Sequence, residues 1–206
     1  MTSTRRQRQP SACDDIDSFF GSLLLLDADV LYPIRVCDFI LTASSLRLLA
    51  RPIVSEEIIA EAQRNVLADR PNLNQEQIER RFRNVRLATD SYDPTIGERV
   101  DNESIVNAKD RHVLRSAIHH GVDFIVTNDA RLRREITTWI DQRPEASQLR
   151  AALSADELAA GLMNESPNEV LAVVKAMNDR FLNPTRALSE TLASLTRSMP
   201  SLQALR

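Results

Sequence analysis

Glycine, cysteine and histidine are scarce in this chain of 206 residues, and each scarcity excludes a class of function. Only four glycines are present, so no glycine-rich loop can wrap a phosphate group in backbone amides. Cys13 and Cys37 provide neither a disulfide framework nor metal-ligand spacing, which favours a reducing, cytoplasmic setting. The three histidines lie in one predicted helix and form no metal-spaced cluster.

Aromatic residues, long apolar runs and a strong net charge are also missing. Aromatics make up 4% of the chain, which leaves few side chains for stacking against single-stranded bases and hides the identity of any substrate. The best apolar run, residues 19–26, is far shorter than the roughly 20 residues of a membrane span, so we predict no membrane partner. A net charge of −3 gives the whole molecule no strong attraction to nucleic acid.

An alternation of strand and helix patterns predicts an α/β domain over residues 22–143. Short unbroken apolar runs at 23–26, 52–54 and 124–126 are typical of parallel strands that are buried on both faces. Apolar residues at helical spacing predict helices over 34–50, 56–67, 74–87, 107–120 and 131–140. This alternation favours a mainly parallel sheet that is covered by helices.

The two ends of the chain depart from this pattern. Residues 1–21 are predicted to be a flexible tail. Pro144 marks a domain boundary, and residues 144–206 are predicted to form a small domain that contains helices only. Capping boxes are expected at Ser154 and Ser166, and Asn183 and Pro184 separate the last two helices.

Acidic residues follow two of the predicted strands. Asp27 comes directly after the first apolar run, with Asp29 two residues later, and Asp129 closes the short polar segment after residues 124–126. Because ligands bind at the carboxyl ends of strands in open α/β sheets, we interpret these acids as site residues. The alternative is a structural role, since aspartates also start turns and cap the following helix.

Two more acids lie on predicted helices. At about 100° per residue, Asp110 falls within the apolar stripe that contains Val113 and Leu114, whereas His112 points elsewhere. Glu61 lies at the shoulder of the stripe of its own helix, from which a carboxylate can reach a neighbouring cleft. The alternatives are an N-cap role for Asp110, if its helix begins later than predicted, and a solvated glutamate at position 61.

Four of these acids, Asp27, Glu61, Asp110 and Asp129, together predict a bound cation. Carboxylates that meet in a folded core repel one another and lose hydration, and a divalent cation with oxygen ligands compensates for both effects. The pattern therefore predicts a metal-dependent hydrolase that acts on phosphate esters.

Arginine clusters are candidates for contact with the phosphates of a nucleic acid. A solvated helix face is the commoner reason for such clusters, and it remains the preferred interpretation here. The two clusters are Arg80, Arg81, Arg83 and Arg86, and Arg131, Arg133 and Arg134.

Four segments, read in chain order, resemble the motifs of the PIN-domain nucleases, and most closely those of the VapC-type toxins of bacterial toxin–antitoxin pairs. The segments are residues 26–33 (LDADVLYP), 55–61 (SEEIIAE), 109–114 (KDRHVL) and 125–129 (IVTND). They are specific as an ordered set, and the similarity covers residues 22–140. The helical remainder is similar to the carboxyl-terminal extension that one subgroup of these toxins carries.

The resemblance implies a compact α/β/α fold that hydrolyses RNA with Mg²⁺ or Mn²⁺ and is silenced by a co-expressed antitoxin. The implied metal site consists of Asp27, Glu61, Asp110 and Asp129. Within it, we expect Asp27 and Asp110 to hold the principal ion, while Thr127 and Asn128 position water or phosphate. Asp29 departs from the family, which usually carries Asn or Ser there, and the extra acid either strengthens metal binding or adds repulsion.

Two other classes of function stay open. A strand followed by Asp-x-Asp also begins the haloacid-dehalogenase phosphatases, in which Asp27 would be the nucleophile, but Leu31 stands where that pattern has Thr or Val. A non-catalytic binding module would keep the acids for structure or for antitoxin binding alone. The C-terminal helices could serve homodimerisation, RNA selection or antitoxin docking, and the sequence does not choose among these roles.

Overall fold

The computed structural model describes residues 19–92, 99–142, 148–180 and 185–205. Within these residues, the short apolar runs form the strands of one parallel sheet and the amphipathic segments form helices around it. The predicted α/β fold with a parallel central sheet is confirmed.

The elements have the following bounds in chain order. The strands are β1 (Leu24–Leu26), β2 (Ile53–Ser55), β3 (Asp90–Tyr92), β4 (Phe124–Val126) and β5 (Ala151–Leu153). The α-helices are α1 (Ala28–Leu31), α2 (Ile34–Ser45), α3 (Glu56–Asp69), α4 (Gln75–Ala88), α5 (Arg111–His119), α6 (Ala130–Asp141), α7 (Ala155–Glu165), α8 (Pro167–Asp179) and α9 (Leu188–Leu195). Two 3-10 helices, Glu103–Ile105 and Pro200–Leu205, complete the described elements.

The order of the strands creates a crevice in the middle of the sheet. The order is β3-β2-β1-β4-β5, and every neighbouring pair is parallel. The register places Leu26 beside Val126 and Val126 beside Leu153. Because the chain runs outward from β1 to β3 and then returns to β4, the strand order reverses between β1 and β4. Ligand sites of open α/β sheets lie at the carboxyl ends of strands at such a reversal.

Helices cover both faces of the sheet. Right-handed crossovers place α1–α4 on one face and α5 and α6 on the other. The contacts agree with this assignment, since α1 packs on α2 and α3, whereas α5 and α6 both contact the 3-10 helix Glu103–Ile105. The strands between them are buried, and Leu25, Val54 and Ile125 have no solvent exposure. The result is a three-layer α/β/α arrangement.

The end of the predicted tail is part of the core. Phe19 is buried, and its ring lies 5.3 Å from that of Phe124. A Cβ atom built on Gly161 would lie only 2.1 Å from the Phe19 ring, so only glycine at this position admits the ring. The prediction of a flexible tail is therefore wrong for Phe19, while residues 1–18 lie outside the described part of the chain.

The prediction that only helices follow Pro144 is also wrong. Residues 151–153 form β5, which pairs with β4 at the edge of the sheet, so the sheet continues past the predicted domain boundary. Three consecutive apolar residues were too short a signal to distinguish a strand from a helix start. Helix α8 then packs on α2, which joins the C-terminal helices to the main core. Pro144 itself lies outside the described residues.

Several helix ends follow the sequence signals and two do not. Capping boxes at Asn74 and Ser154 begin α4 and α7, but Ser166 makes no side-chain cap hydrogen bond, so the second predicted box is wrong. Helix α5 begins at Arg111 rather than at residue 107, and Gly121 follows it with a left-handed φ of 57°. In the described residues, no helix is both long and apolar enough to cross a membrane.

Candidate active site

The acids that follow β1 and β4 meet at the crevice between these strands. Asp27 follows β1 and is the N-cap of α1, where Oδ1 accepts a 2.7 Å hydrogen bond from its neighbour, the Ala28 amide. The other oxygen, Oδ2, accepts a 2.7 Å hydrogen bond from the Thr127 hydroxyl across the crevice. Both side chains are buried. The structural role expected of Asp27, capping, is thus present together with a fixed position at the sheet edge.

Burial controls the electrostatics of Asp27. Loss of hydration raises the pKa of Asp27 above its ordinary value, and the nearby charge of Asp110 raises it further. Hydrogen bonds from Thr127 and Ala28, and the proximity of His112, oppose the rise. The carboxylate is consequently held in place but remains incompletely compensated, as expected for a group that receives a cation.

Asp29 anchors the loop that follows β4. Its Oδ1 accepts a 3.0 Å hydrogen bond from the Asn128 amide, and its Oδ2 lies 3.2 Å from the Thr127 hydroxyl. Burial and the charge of Asp27 raise the pKa of Asp29 to about 6. The Asn128 side chain in turn accepts a 3.2 Å hydrogen bond from the Ala155 amide at the start of α7. Asp29 and Asn128 therefore join three segments of backbone.

Asp110 reaches the site from the other layer of helices. It occupies the N-cap position of α5, yet its side chain makes no cap hydrogen bond, although the residue is only 9% exposed. Its closest cation is Lys109, whose Nζ lies 3.7 Å from Oδ1. Burial raises the pKa of Asp110, and the charges of Asp129 and Glu135 add to that rise. Position alone suggested capping, but the carboxylate does not do it.

Glu61 extends from α3 at the edge of its buried stripe, as its helical spacing predicted. Ile58 and Ala62 on the same helix are fully buried, whereas the Glu61 side chain is 37% exposed. Burial raises the pKa of Glu61, and the charges of Asp27 and Asp110 contribute to the increase. The Glu61 carboxylate therefore lies close enough to Asp27 and Asp110 for their charges to affect its protonation.

His112 also faces these acids, contrary to the sequence prediction that it points elsewhere. Its side chain is 13% exposed, and its Nε2 lies 3.7 Å from Glu61 Oε2. The wheel gives only the direction of His112 relative to the apolar stripe of α5, and it cannot show that Glu61 of α3 lies on that side of the helix. The sequence shows that His112 lies two residues after Asp110, but it does not show that α3 approaches the His112 ring.

Asp129 performs the capping role that was its alternative interpretation. Its Oδ1 accepts hydrogen bonds from the amides of Arg131 and Leu132, at 2.7 and 3.1 Å, at the start of α6. Burial pushes the pKa of Asp129 upward, but these hydrogen bonds and the charges of Lys109 and Arg131 outweigh it and leave the pKa below its ordinary value. The Asp129 carboxylate is thus ionised and directed by the helix it caps.

The donor chemistry of these residues fits a divalent cation. Asp27, Glu61 and Asp110 supply hard oxygen donors whose charges oppose one another, and the buried Nε2 of His112 has no hydrogen-bond partner. No three acidic, histidine or cysteine side chains within the described ranges converge closely enough to form a complete metal site. The residues therefore fit a divalent cation because they place uncompensated donor atoms around one crevice, and not because they already form a complete coordination sphere.

Most of the arginines proposed for nucleic-acid contact have structural partners. Arg86 pairs with Glu56, Arg81 donates to the carbonyl of Tyr32 at 2.7 Å, and Arg131 pairs with Glu135. Arg133 donates to the Thr127 carbonyl at 2.8 Å and so supports the loop of the site. Arg80, Arg83 and Arg134 are exposed, and their side chains make neither an ion pair nor a hydrogen bond to another described residue.

A groove of about 750 Å³ lies away from the acids. Its wall is formed by α2, α4 and α8, and it includes Leu41, Ile78 and Met177. None of the acids predicted for the metal site lines it, although Arg80 and Arg81 of the first arginine cluster do. The crevice at the strand ends, where buried polar groups converge, is therefore the better candidate for chemistry.

Comparison of the chain with models of known protein families, with curated proteins and with solved structures found no match. The function of the chain is therefore inferred from the residues of the crevice.

Proposed function

We propose that this protein is a metal-dependent endoribonuclease of the PIN-domain, VapC-like type. The observation that carries the proposal is the meeting of two buried aspartates, Asp27 and Asp110, at the reversal of a parallel sheet. Burial raises the pKa of both carboxyl groups, and the charge of Asp110 raises that of Asp27 further. Such a concentration of incompletely compensated acid is costly in a fold without a function for it. Binding a cation that acts on a phosphate ester would give these acids a function.

The residues divide between holding a cation and shaping the crevice. Asp27 and Asp110 are the principal carboxylates for Mg²⁺ or Mn²⁺, and Glu61 and Asp129 complete or orient the site. A bound ion of this kind lowers the pKa of its water and polarises the phosphoryl group. No serine, cysteine or histidine nucleophile is then required.

Hydrogen bonds keep the key carboxylate in position. Thr127 donates its hydroxyl proton to Asp27, and the Thr127 carbonyl accepts from Arg133. This chain of contacts restricts rotation of the carboxylate, which favours a reactive geometry over many unproductive ones. Asp29 acts on the same loop through Asn128, so its role is to position the site rather than to add a ligand.

Basic side chains near the crevice can bind the phosphates of the substrate. Lys109 is close to Asp110, and its side chain is 68% exposed. Arg134 is exposed on α6, the helix that Asp129 caps. These contacts would attract RNA to the acidic site in spite of the overall negative charge, with a dependence on salt concentration.

The environment of Asp29 disfavours the phosphatase alternative. In that reading the second aspartate of Asp-x-Asp transfers protons to and from the substrate, which requires a carboxyl group that faces the ligand. Here the Asp29 carboxylate is bound by the Asn128 amide and lies against Thr127.

The resemblance to the VapC-type toxins further leads us to propose that the protein is a cytoplasmic toxin that a cognate antitoxin protein silences.

The decisive experiment expresses the full chain in a bacterial host that lacks an antitoxin, followed by sequencing of newly formed RNA ends. We expect the wild-type protein to create ends at a few sites and Asp110→Asn to reduce them by at least about 100-fold, a typical cost for removing a key electrostatic group. The matched control is Asp123→Asn, which removes an aspartate at the opposite end of β4 and should keep the same sites.

Equal RNA ends from the wild type and Asp110→Asn would contradict the nuclease proposal. A covalent phosphate on Asp27, detected by mass spectrometry after acid quench, would favour the phosphatase. If neither appears, the binding-module reading gains support.

A further inference from the structure

The orientation of the His112 ring is determined by its Nδ1. This nitrogen lies 2.9 Å from the carbonyl oxygen of Lys109. A carbonyl accepts hydrogen bonds but cannot donate them, so Nδ1 carries the proton. In the neutral ring, Nε2 then has a free lone pair, which is the arrangement that metal-binding histidines show when the second nitrogen donates to a carbonyl.

The Nε2 atom has no protein partner to use that lone pair. It is buried and makes no hydrogen bond. Its 3.7 Å separation from Glu61 Oε2 exceeds the 2.7 to 3.2 Å range, approximately, of a hydrogen bond to nitrogen. A buried polar atom without a partner destabilises the folded chain, so a ligand in this place would remove that penalty.

One acid of the crevice, Glu61, approaches this nitrogen directly. The charge of His112 also acts on Asp27 and Asp110, so the ring lies on the side of the crevice that these acids occupy. Two donors that each lie about 2.1 Å from one ion are about 3 to 4 Å apart. The 3.7 Å distance between Nε2 and the Glu61 carboxylate falls within that range.

We propose that His112 Nε2 binds the cation of the active site directly, so that the site prefers Mn²⁺ or another first-row transition ion over Mg²⁺. The inference rests on the proposed function, because it requires a cation among the acids. A nitrogen donor strengthens binding of transition ions, whereas Mg²⁺ favours oxygen and keeps its water. The competing explanation is a doubly protonated ring that pairs with Glu61 and touches no ion.

Spectroscopy of bound Mn²⁺ separates these two explanations. Electron spin-echo modulation detects a ¹⁴N nucleus that is bonded to the ion, and the test uses the purified full chain. Isothermal titration calorimetry with Mn²⁺ and with Mg²⁺ gives the two affinities. The variants are His112→Asn and His112→Gln, with Asp110→Asn to remove a principal carboxylate. His119→Asn is the matched control, because His119 is exposed on the same helix.

We expect ¹⁴N coupling in the wild type and in His119→Asn, and its loss in both His112 variants. Their Mn²⁺ Kd should rise tenfold or more, roughly, while the Mg²⁺ Kd changes less than about threefold. Bound Mn²⁺ that shows no ¹⁴N coupling, and that Asp110→Asn releases, would overturn the role of His112 but leave the proposed function standing. No Mn²⁺ binding to the wild type would overturn both. Should the His112 variants fail to fold by circular dichroism, the wild-type spectrum still decides.

Discussion

The two ends of the strand pair β1 and β4 are built from different chemistry. At the amino ends, the rings of Phe19 and Phe124 pack together, and Asp123 Oδ2 accepts a 2.8 Å hydrogen bond from the Leu23 amide. At the carboxyl ends, Asp27 and Asp29 both lie against one Thr127 hydroxyl. An acid thus occurs at each end, but in a different setting.

The difference shows what distinguishes a structural aspartate from a functional candidate. Asp123 joins the start of β4 to the residue before β1, and apolar packing around it supplies stability. At the other end Asp27 and Asp29 share a single hydroxyl proton, so one of the two carboxylates lacks that donor. Burial raises the pKa of both Asp27 and Asp110, and nearby charges raise it further. We infer that the amino ends stabilise the fold and that the carboxyl ends use part of that stability for function.

The largest effect that separates the two ends is expected from Gly161→Ala. The new methyl group would collide with the Phe19 ring, so the ring must leave its place against Phe124. We expect the free energy of unfolding to fall by about 2 to 3 kcal/mol, as in other overpacked cores, while Mn²⁺ affinity is unchanged. Urea denaturation and calorimetry measure the two quantities.

Gly21→Ala is the control for this experiment. Gly21 has a left-handed φ of 71°, but no atom lies within 4 Å of an added Cβ. Backbone strain alone should cost about 1 kcal/mol. A Gly161→Ala loss no larger than this, or a change in its Mn²⁺ affinity, would show that the two ends are not independent.

A smaller effect is expected from Thr127→Val at the carboxyl ends. The substitution keeps the shape of the side chain but removes the proton donor of Asp27 and the acceptor of the Asp129 amide. We expect the free energy of unfolding to fall by about 1 to 2 kcal/mol, and the RNA cleavage rate to fall with it.

Thr42→Val provides the comparison, because the buried Thr42 hydroxyl donates only to the Asp38 carbonyl within α2. Its loss should change stability by less than about 0.5 kcal/mol. If both variants lose the same amount, the hydroxyl shared by the acids has no special importance.

A further effect, a dependence on pH, should come from the titration of Asp29. Its pKa rises from 3.8 to about 6 on folding, so the folded chain binds this proton more tightly than the unfolded chain. Without divalent ions, the free energy of unfolding should therefore decrease as the pH rises from about 4 to about 6. Asp29→Asn should flatten this decrease, measured by urea denaturation at several pH values. An unchanged slope would place the raised pKa in doubt.

Local patterns predicted the parts of the fold that depend on neighbouring residues. The apolar run before Asp27, the stripe around Val113 and the capping box at Ser154 all appear in the structure. The edge strand β5 was missed because its partner, β4, lies 27 residues earlier in the register. The capping box at Ser166 failed although the residue types were right, since a cap also needs backbone geometry that the preceding helix dictates.

Hydrophobic spacing along the chain already indicates which acids are available, because it predicts the burial pattern and the strand ends. It also indicates a parallel sheet, since the strands are apolar on both faces. How these acids are used depends on the packing of the folded chain. Thr127 links Asp27 to Asp29 across the reversal between β1 and β4, and α3 brings Glu61 to His112. Such contacts join residues far apart in the chain, and packing of the layers, rather than local spacing, sets their distances.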